Sequence, residues 1–326
     1  MRSYIPLAAA SFFDILLAMD NNSSEIYANC TLCPRSCRSD RTVRSGYCSE
    51  GSRLHVARAS LHMWEEPCIS GTSGSGAVFF SGCSLKCVFC QNMAISRGQT
   101  GMYIDTGRLI EIFFELQDKG AHNINLVTAD HFIPAVVEAI DRAVSRGLKI
   151  PFLFNTSSYI TVDSLKMLDG LIDIYLPDCK YIRSEDAARY SNAPDYPDVA
   201  AAAIDEMVRQ HPSCIFDPAS GMIRKGVIIR HLLMPGMLIQ AKLIISCLYK
   251  KYRDRVFFSL MNQYTPGEHL ASYPEIDRPV SDREYRSLIR YAADLGITRA
   301  YVQEDGASDT CYIPDFDLTG VISPSS

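Results

Sequence analysis

Three cysteines follow one another with the spacing C-x3-C-x2-C, at Cys83, Cys87 and Cys90. Three thiolates can bind three irons of one [4Fe-4S] cluster and leave the fourth iron without a protein ligand, so that iron is open to chemistry. A structural zinc site would need a fourth ligand close by, and a two-cluster ferredoxin would need a further cysteine followed by proline. Gln91 and Asn92 follow instead. The spacing therefore predicts a cluster with an open iron.

The segment before these cysteines indicates where the cluster loop lies in the fold. Residues 76–80 form an apolar run that is typical of a buried strand. The cysteine loop then follows the carboxyl end of that strand. Barrels built from parallel strands place their active sites at this end.

Strand-like and helix-like segments alternate after the cysteines, which is the pattern of βαβ units around a parallel sheet. The predicted strands are 76–80, 123–127, 150–154, 172–176, 226–233, 256–261 and 298–302. The predicted helices are 108–118, 133–145, 162–168, 199–210, 240–252 and 282–294. Six or seven such units are too few for a closed eight-stranded barrel. We therefore predict an α/β fold with an open partial barrel.

We expect three parts along the chain. Residues 1–70 form an N-terminal helix and a cysteine-rich segment, residues 71–310 the barrel, and residues 311–326 a C-terminal tail that wraps the domain or is loose. The helix is expected at residues 4–13, because Asp14 interrupts the apolar run that a signal peptide would need. The polar connection 184–198 is expected to be a surface excursion.

Composition limits the classes of function. With 326 residues, of which 47% are hydrophobic, the chain can bury a large core. Its net charge of -5 offers no basic surface for a polyanion, so we expect no nucleic-acid partner. No run is long and apolar enough to span a bilayer, and we expect no membrane association and a cytoplasmic location. Because iron-binding thiolates need a reducing compartment, the 12 cysteines indicate metal ligands before disulfides.

A second set of cysteines lies near the N-terminus, at Cys30, Cys33, Cys37 and Cys48. Four thiolates can hold a structural zinc ion, or an auxiliary [4Fe-4S] cluster that relays electrons or maintains structure. Spacing alone does not separate these alternatives from four free thiols. Cys68 stands apart from both sets, and we expect it to be an inert buried thiol rather than a ligand or a hydrogen-atom relay.

The C-x3-C-x2-C spacing with Phe89 before the last cysteine is the signature of the radical S-adenosylmethionine (SAM) superfamily, which this chain resembles. Other segments are similar to the branch named pyruvate formate-lyase-activating enzyme, and the resemblance extends over nearly the whole chain from Cys30 onward. These segments are 64–71, 123–128, 173–178, 230–236 and 263–266. The resemblance implies an open (β/α)6 partial barrel of the radical SAM type.

The same resemblance implies an oxidoreductase. A flavodoxin or ferredoxin would supply an electron to the [4Fe-4S] cluster, where SAM is cleaved reductively to a 5′-deoxyadenosyl radical that abstracts a hydrogen atom. In this branch the hydrogen atom comes from a glycine of a partner glycyl-radical enzyme. A small molecule or another protein is the alternative substrate. From a different class, the chain could be an iron-sulfur electron carrier or a zinc-binding scaffold that never cleaves SAM.

Polar residues at the ends of the predicted strands are the candidates for binding SAM, and the cluster ligands are the only residues with a catalytic assignment. By resemblance, Asp178, Lys180 and Arg230 contact SAM, the two cations being suited to its carboxylate.

Four further candidates depend on departures from the branch. In the branch, a Gly-Gly-Glu segment binds the amine of the methionyl group of SAM. Residues 128–131 replace that segment here, so Thr128 or Asp130 is expected to bind the amine. Asn155 replaces an aspartate that helps to bind a monovalent cation, which puts that ion in doubt. Gln263 follows the sixth strand, and the histidine that the branch has near this position is absent from this chain.

Overall fold

The computed structural model describes residues 25–267, 270–303 and 314–323. Its strands are β1 Leu54–His62, β2 Ser75–Phe80, β3 Met102–Ile104, β4 Ile124–Val127, β5 Phe152–Thr156, β6 Ile174–Pro177, β7 Ile215–Phe216, β8 Ile223–Leu232, β9 Phe257–Met261 and β10 Ala300–Val302. Its helices are α1 Pro67–Ser70, α2 Met93–Ser96, α3 Thr106–Asp118, α4 Ile133–Ser145, α5 Val162–Lys166, α6 Ser184–Ser191, α7 Tyr196–Gln210, α8 Leu238–Tyr252 and α9 Asp282–Asp294.

The strands form one open sheet in the order β10-β9-β8-β6-β5-β4-β2-β1-β3, with β7 paired to β8 off this path. Neighbours from β2 through β10 along this order are parallel, and each crossover between them contains at least one helix. Strands β1 and β3, at one end of the sheet, pair antiparallel, and so does the short strand β7 with β8. The sheet thus confirms the predicted α/β fold with an open (β/α)6 arrangement.

The predicted strands and helices between residues 76 and 302 are all present, with ends that differ by a few residues. Helices α4 and α9 begin and end where hydrophobic periodicity places them. A capping box explains the sharp start of α9, because the Ser281 side chain accepts from the Glu284 amide while the Glu284 side chain accepts from the Ser281 amide.

Two parts of the chain differ from the prediction. The connection 184–198 is not a plain surface excursion, because it begins with helix α6, whose Tyr190 and Ser191 are buried. Strands β1 and β3 were not predicted, and β1, which lies within residues 1–70, belongs to the main sheet through its pairing with β2. The expected helix at residues 4–13 and the start of the tail lie outside the described residues.

The described part of the tail, residues 314–323, wraps against β1. The amide of Leu318 donates to the carbonyl oxygen of Ala57 at 3.1 Å, and the amide of Ala59 donates to the carbonyl oxygen of Thr319 at 2.8 Å. In the part of the chain that the structure describes, no helix has both the length and the apolar character to cross a bilayer.

The segment that follows β1 packs against the inner face of the parallel sheet. Cys68 and Ile69 of α1 lie in an apolar cluster with Leu153 of β5, Ile174 of β6 and Ile228 of β8. Alternate residues of the same strands face the opposite way, into the main core under the helices. Cys68 is therefore a buried thiol among apolar side chains, as expected. The segment also brings the two acids that precede α1 into the interior.

Candidate active site

The C-x3-C-x2-C loop leaves β2 at the carboxyl end of the parallel strands. The side chains of Cys83, Cys87 and Cys90 all line one cavity of about 440 Å³. Leu85 and Phe89, between the cysteines, are buried in an apolar cluster that anchors the loop. The three thiols thus face a shared space, as the spacing predicts for one cluster.

Contacts from two distant parts of the chain hold this loop. The amide of Val88 donates to the carbonyl oxygen of Tyr190 at 2.9 Å, and the Ser191 hydroxyl donates to Cys87 Sγ at 3.0 Å. On the other side, the amide of Cys83 donates to the carbonyl oxygen of Cys48 at 3.1 Å. Helix α6, which sequence reasoning missed, therefore contacts the cluster loop directly.

The chemistry of the three thiols fits a positively charged metal centre. Burial, with a smaller contribution from the neighbouring Cys87, raises the pKa of Cys83 to about 11. Burial also raises the pKa values of Cys87 and Cys90. Such thiols stay protonated until a cation compensates the thiolate charge, which bound iron does.

Within the described ranges, no group of three or more His, Cys, Asp or Glu side chains is arranged to hold a metal ion. A [4Fe-4S] cluster makes a different demand, because each thiolate binds a separate iron. The observation that bears on a cluster is that all three thiols reach one cavity.

Polar side chains from the ends of the neighbouring strands line the cavity opposite the thiols. Six of the seven side chains predicted to bind SAM are among them. These are Thr128, Asn155, Asp178, Lys180, Arg230 and Gln263.

Asp178 is the centre of an ionic network at this wall. Its two carboxylate oxygens accept from Lys180 Nζ at 2.6 Å and from Arg230 Nε at 3.0 Å. Burial opposes the charge of Asp178, but the Lys180 and Arg230 cations outweigh it and hold the pKa of this carboxyl below its ordinary value. Lys180 also lies close enough to Cys87 to lower the pKa of that thiol. A cation is thus placed between the carboxylate and the cysteine loop.

Arg230 extends the network across the sheet. Its guanidinium donates to Asn155 Oδ1 at 2.6 Å and to Glu65 Oε2 at 3.3 Å, besides Asp178. Glu65 Oε1 in turn accepts from Asn125 Nδ2 at 2.9 Å. The network therefore joins β4, β5, β8, the end of β6 and the segment before α1.

Asp130 and Thr128 have different positions although they are two residues apart. Asp130 is buried and is not among the cavity-lining residues; its carboxylate accepts a hydrogen bond from the Thr156 hydroxyl. Burial raises the pKa of Asp130 to about 6. The short helical turn that Asp130 begins buries its side chain, and its role as the partner of the methionyl amine stays a prediction. Thr128 does line the cavity, with a φ of 60° that is unusual for a β-branched residue.

Two acids on the cavity wall had no predicted role. Glu65 and Glu66 come from the Trp64-Glu65-Glu66-Pro67 run, and both line the cavity. Glu66 is buried, its Oε2 has no hydrogen-bond partner among the described residues, and burial raises its pKa. The signal in the sequence was a pair of acids directly before a helix-starting proline, but nothing in it showed that they turn inward.

The second cysteine set lies beside the cluster loop. Cys30, Cys33 and Cys48 are buried and Cys37 is exposed. A Cβ atom placed on Gly46 would lie 3.4 Å from Cys37 Sγ and 3.6 Å from Cys48 Sγ, so these two thiols flank that glycine. Burial raises the pKa of Cys33 to about 12, with smaller contributions from the other three thiols. The four side chains therefore lie in one neighbourhood.

No protein-family model matches the chain. An uncharacterized protein of Methanocaldococcus jannaschii is 27% identical over 290 residues, which cover 86% of this chain and 78% of that protein. A radical SAM methyltransferase of Sphaerobacter thermophilus matches with a TM-score of 0.47 and 15% identity, over 72% of this chain and 67% of that one. SuiB of Streptococcus suis, in a structure bound to S-adenosylmethionine, matches with a TM-score of 0.46 and 15% identity. That match covers 69% of this chain and 49% of SuiB, so the chain spans about half the length of SuiB.

Proposed function

We propose that this chain is a radical SAM enzyme that cleaves SAM reductively and abstracts a hydrogen atom from a substrate. One observation carries the proposal: the three thiols of the C-x3-C-x2-C loop share a cavity with the Asp178, Lys180 and Arg230 network. Thiolates that leave one iron open, together with two cations suited to a carboxylate, are what SAM requires of a protein.

Cys83, Cys87 and Cys90 would hold a [4Fe-4S] cluster. When bound and reduced, this cluster supplies the electron that cleaves the sulfonium of SAM. The ammonium of Lys180 donates one N–H to Asp178, and its other N–H groups can donate to the SAM carboxylate. Thr128, Asn155 and Gln263 offer further polar groups along the same wall. Asp178 would position both cations rather than contact the reacting atoms.

The resemblance to the pyruvate formate-lyase-activating branch supports a glycine Cα–H of a partner glycyl-radical enzyme as the substrate. A flavodoxin or ferredoxin would be the electron donor. The strand order ends at β10 and β3 without closing the sheet, and an open barrel is suited to a peptide substrate. A small molecule or another protein is the second candidate substrate within the same chemistry.

The reaction class is tested by anaerobic incubation of the reconstituted full-length protein with SAM and dithionite. Formation of 5′-deoxyadenosine and methionine in equal amounts is expected. An iron-sulfur electron carrier or a zinc scaffold would form neither product, and their absence from a protein with a full cluster would overturn the proposal.

The substrate is tested separately with deuterium. Hydrogen-atom abstraction moves one deuterium from a labelled Cα of glycine into 5′-deoxyadenosine, so a partner enzyme grown on deuterated glycine should transfer label. Cleavage of SAM without label transfer from the partner would reject the glycyl-radical substrate and leave the reaction class intact.

A further inference from the structure

Glu66 is a buried acid on the wall of the cavity that the cysteine loop shares. It is 8% exposed, and its Oε2 has no hydrogen-bond partner among the described residues. Burial raises the pKa of this carboxyl and outweighs the opposing effect of the Arg230 cation. His62, the histidine on the same wall, offers no positive charge at neutral pH, because burial lowers its pKa to about 4.

The two cations of the cavity wall form their hydrogen bonds with other acids. Lys180 donates to Asp178 at 2.6 Å, and Arg230 donates to Asp178 at 3.0 Å and to Glu65 at 3.3 Å. Among the described residues that line the cavity, three acids therefore accompany two lysine or arginine side chains. Glu66 is the acid of these three without a hydrogen-bonded cation. A buried polar group left without a partner costs stability, which is typical of a group that a ligand satisfies.

Two aromatic side chains line the cavity near Glu66. Trp64 precedes it by two positions and is 56% exposed, and Tyr301 belongs to strand β10. Burial, with a smaller contribution from Glu66, raises the pKa of Tyr301, which shows that the acid lies near the phenol. The ring of Tyr301 stacks on Phe257 with 5.8 Å between the ring centres. A carboxylate accompanied by aromatic rings suits an ammonium or a guanidinium, which the acid binds by charge-assisted hydrogen bonds and the rings attract through their π-electrons.

Glu66 lies at a different part of the sheet from the pair proposed to bind SAM. Asp178 and Lys180 follow β6, in the middle of the strand order, whereas Glu66 neighbours Ser259 of β9 and Tyr301 of β10. β10 is the last strand on that side of the sheet, which does not close. The acid is therefore placed beside the proposed SAM-binding pair, in the same cavity, and toward the open edge of the sheet.

We infer that Glu66 binds a positively charged group of the substrate, a primary ammonium or a guanidinium, on the β10 side of the cavity. The inference rests on the proposed function and narrows its substrate to molecules that carry such a cation close to the hydrogen atom that is abstracted. A lysine or arginine side chain of a peptide, or a small amine, has this chemistry. Glu66 is a specificity-determining residue in this arrangement.

The first test measures binding of cations by fluorescence. Trp64 is the single tryptophan of the chain, so its emission reports on the cavity wall. The probes are acetylated and amidated tripeptides with lysine, arginine or glutamine between two glycines, and pentylammonium as a small amine. The reconstituted full-length protein should bind the lysine and arginine peptides at least about tenfold more tightly than the glutamine peptide. Comparison with pentylammonium tells a peptide source from a small amine, and equal affinity for the lysine and glutamine peptides would overturn the inference.

The second test removes the charge of Glu66 and keeps its shape. Glu66→Gln should weaken binding of the lysine peptide at least about tenfold and leave binding of the glutamine peptide unchanged. Glu111→Gln, on the exposed surface of α3, should bind both peptides as the wild type does. In urea, Glu66→Gln should be at least as stable as the wild type, because it removes a buried acid that lacks a partner. Unchanged affinity for the lysine peptide, or marked destabilisation, would overturn the inference.

The third test separates this cation site from the SAM site. Glu66→Gln should bind SAM with wild-type affinity by calorimetry, and saturating SAM should not displace the lysine peptide from the wild type. A tenfold loss of SAM affinity in the variant, or competition between SAM and the peptide, would assign Glu66 to SAM and overturn the inference. The peptide measurements do not depend on SAM cleavage. A protein that prefers the lysine peptide but forms no 5′-deoxyadenosine would therefore refute the proposed function alone.

Discussion

The hydroxyl of Ser191 donates a hydrogen bond to Cys87 Sγ at 3.0 Å, across 104 residues of sequence. Ser191 is 2% exposed, and its oxygen also lies 2.8 Å from the Tyr181 hydroxyl. The Ser191 hydroxyl therefore links the buried Tyr181 hydroxyl to Cys87, one of the proposed cluster ligands. Hydrogen bonds to ligand sulfurs are one of the means by which proteins set cluster potentials.

Ser191→Ala should make the reduction potential of the cluster more negative. The lost hydrogen bond stabilised the reduced, more negatively charged state, and its net free energy corresponds to a shift on the order of tens of millivolts in a one-electron couple. A redox titration followed by electron paramagnetic resonance measures the shift. Ser220→Ala, on an exposed turn, is the control. A potential that is unchanged or less negative would count against a ligand role for Cys87.

Replacing Cys83, Cys87 or Cys90 singly with Ala should remove the [4Fe-4S] absorption of the active site and all SAM cleavage. Three thiolates are the fewest that hold the cluster and leave one iron open. Iron content and 5′-deoxyadenosine formation are the measurements, with Cys247→Ala as the control. Normal turnover in any of the three variants would show that the ligand assignment is wrong.

Lys180→Ala should weaken SAM binding while the cluster still assembles. A charge-assisted hydrogen bond to a carboxylate contributes roughly 1.5 to 3 kcal/mol, which corresponds to at least a tenfold loss of affinity by calorimetry. Lys166→Ala removes a similar lysine-aspartate pair, 3.2 Å long, on the exposed surface and should bind SAM as the wild type does. Equal SAM affinity in both variants would mean that Lys180 does not contact SAM.

Arg230→Ala should weaken SAM binding and also destabilise the fold. It leaves the carboxylates of Asp178 and Glu65, only 14% and 10% exposed, without their common cation. Removing one partner of a buried ion pair costs about 3 to 5 kcal/mol of unfolding free energy.

Chemical denaturation of the metal-free chain measures this cost. Arg224→Ala is the matched control, because Arg224 lies on the same strand β8 and pairs at the surface with Asp217 at 3.2 Å. Its loss should change the unfolding free energy by about 1 kcal/mol at most. Similar losses in the two variants would show that the interior network contributes little to stability.

Sequence patterns predicted the parallel strands because their apolar runs are short and regular. Helix α6 was missed because its eight residues, Ser184 to Ser191, are mostly polar, and only Ala187, Tyr190 and Ser191 are buried. Burial of those three depends on the cysteine loop, which lies about a hundred positions earlier in the chain. A local pattern carries no information about such a contact.

The ionic network was only partly predictable for the same reason. Asp178, Lys180 and Arg230 were expected, by resemblance, to contact the same ligand at the carboxyl ends of neighbouring strands. The contact of Arg230 with Glu65 joins residues 165 positions apart and depends on how the segment before α1 packs inside the sheet. The position of Asp130 depends on a single turn after β4, which directs its carboxylate to Thr156 rather than to the cavity.

Binding of SAM at the iron that Cys83, Cys87 and Cys90 would leave open can be followed by electron paramagnetic resonance of the dithionite-reduced, reconstituted full-length chain, recorded with and without SAM. We expect SAM to change the spectrum of the reduced cluster saturably, because SAM would bind at that open iron. A spectrum that stays the same at a SAM concentration that saturates binding by calorimetry would contradict it.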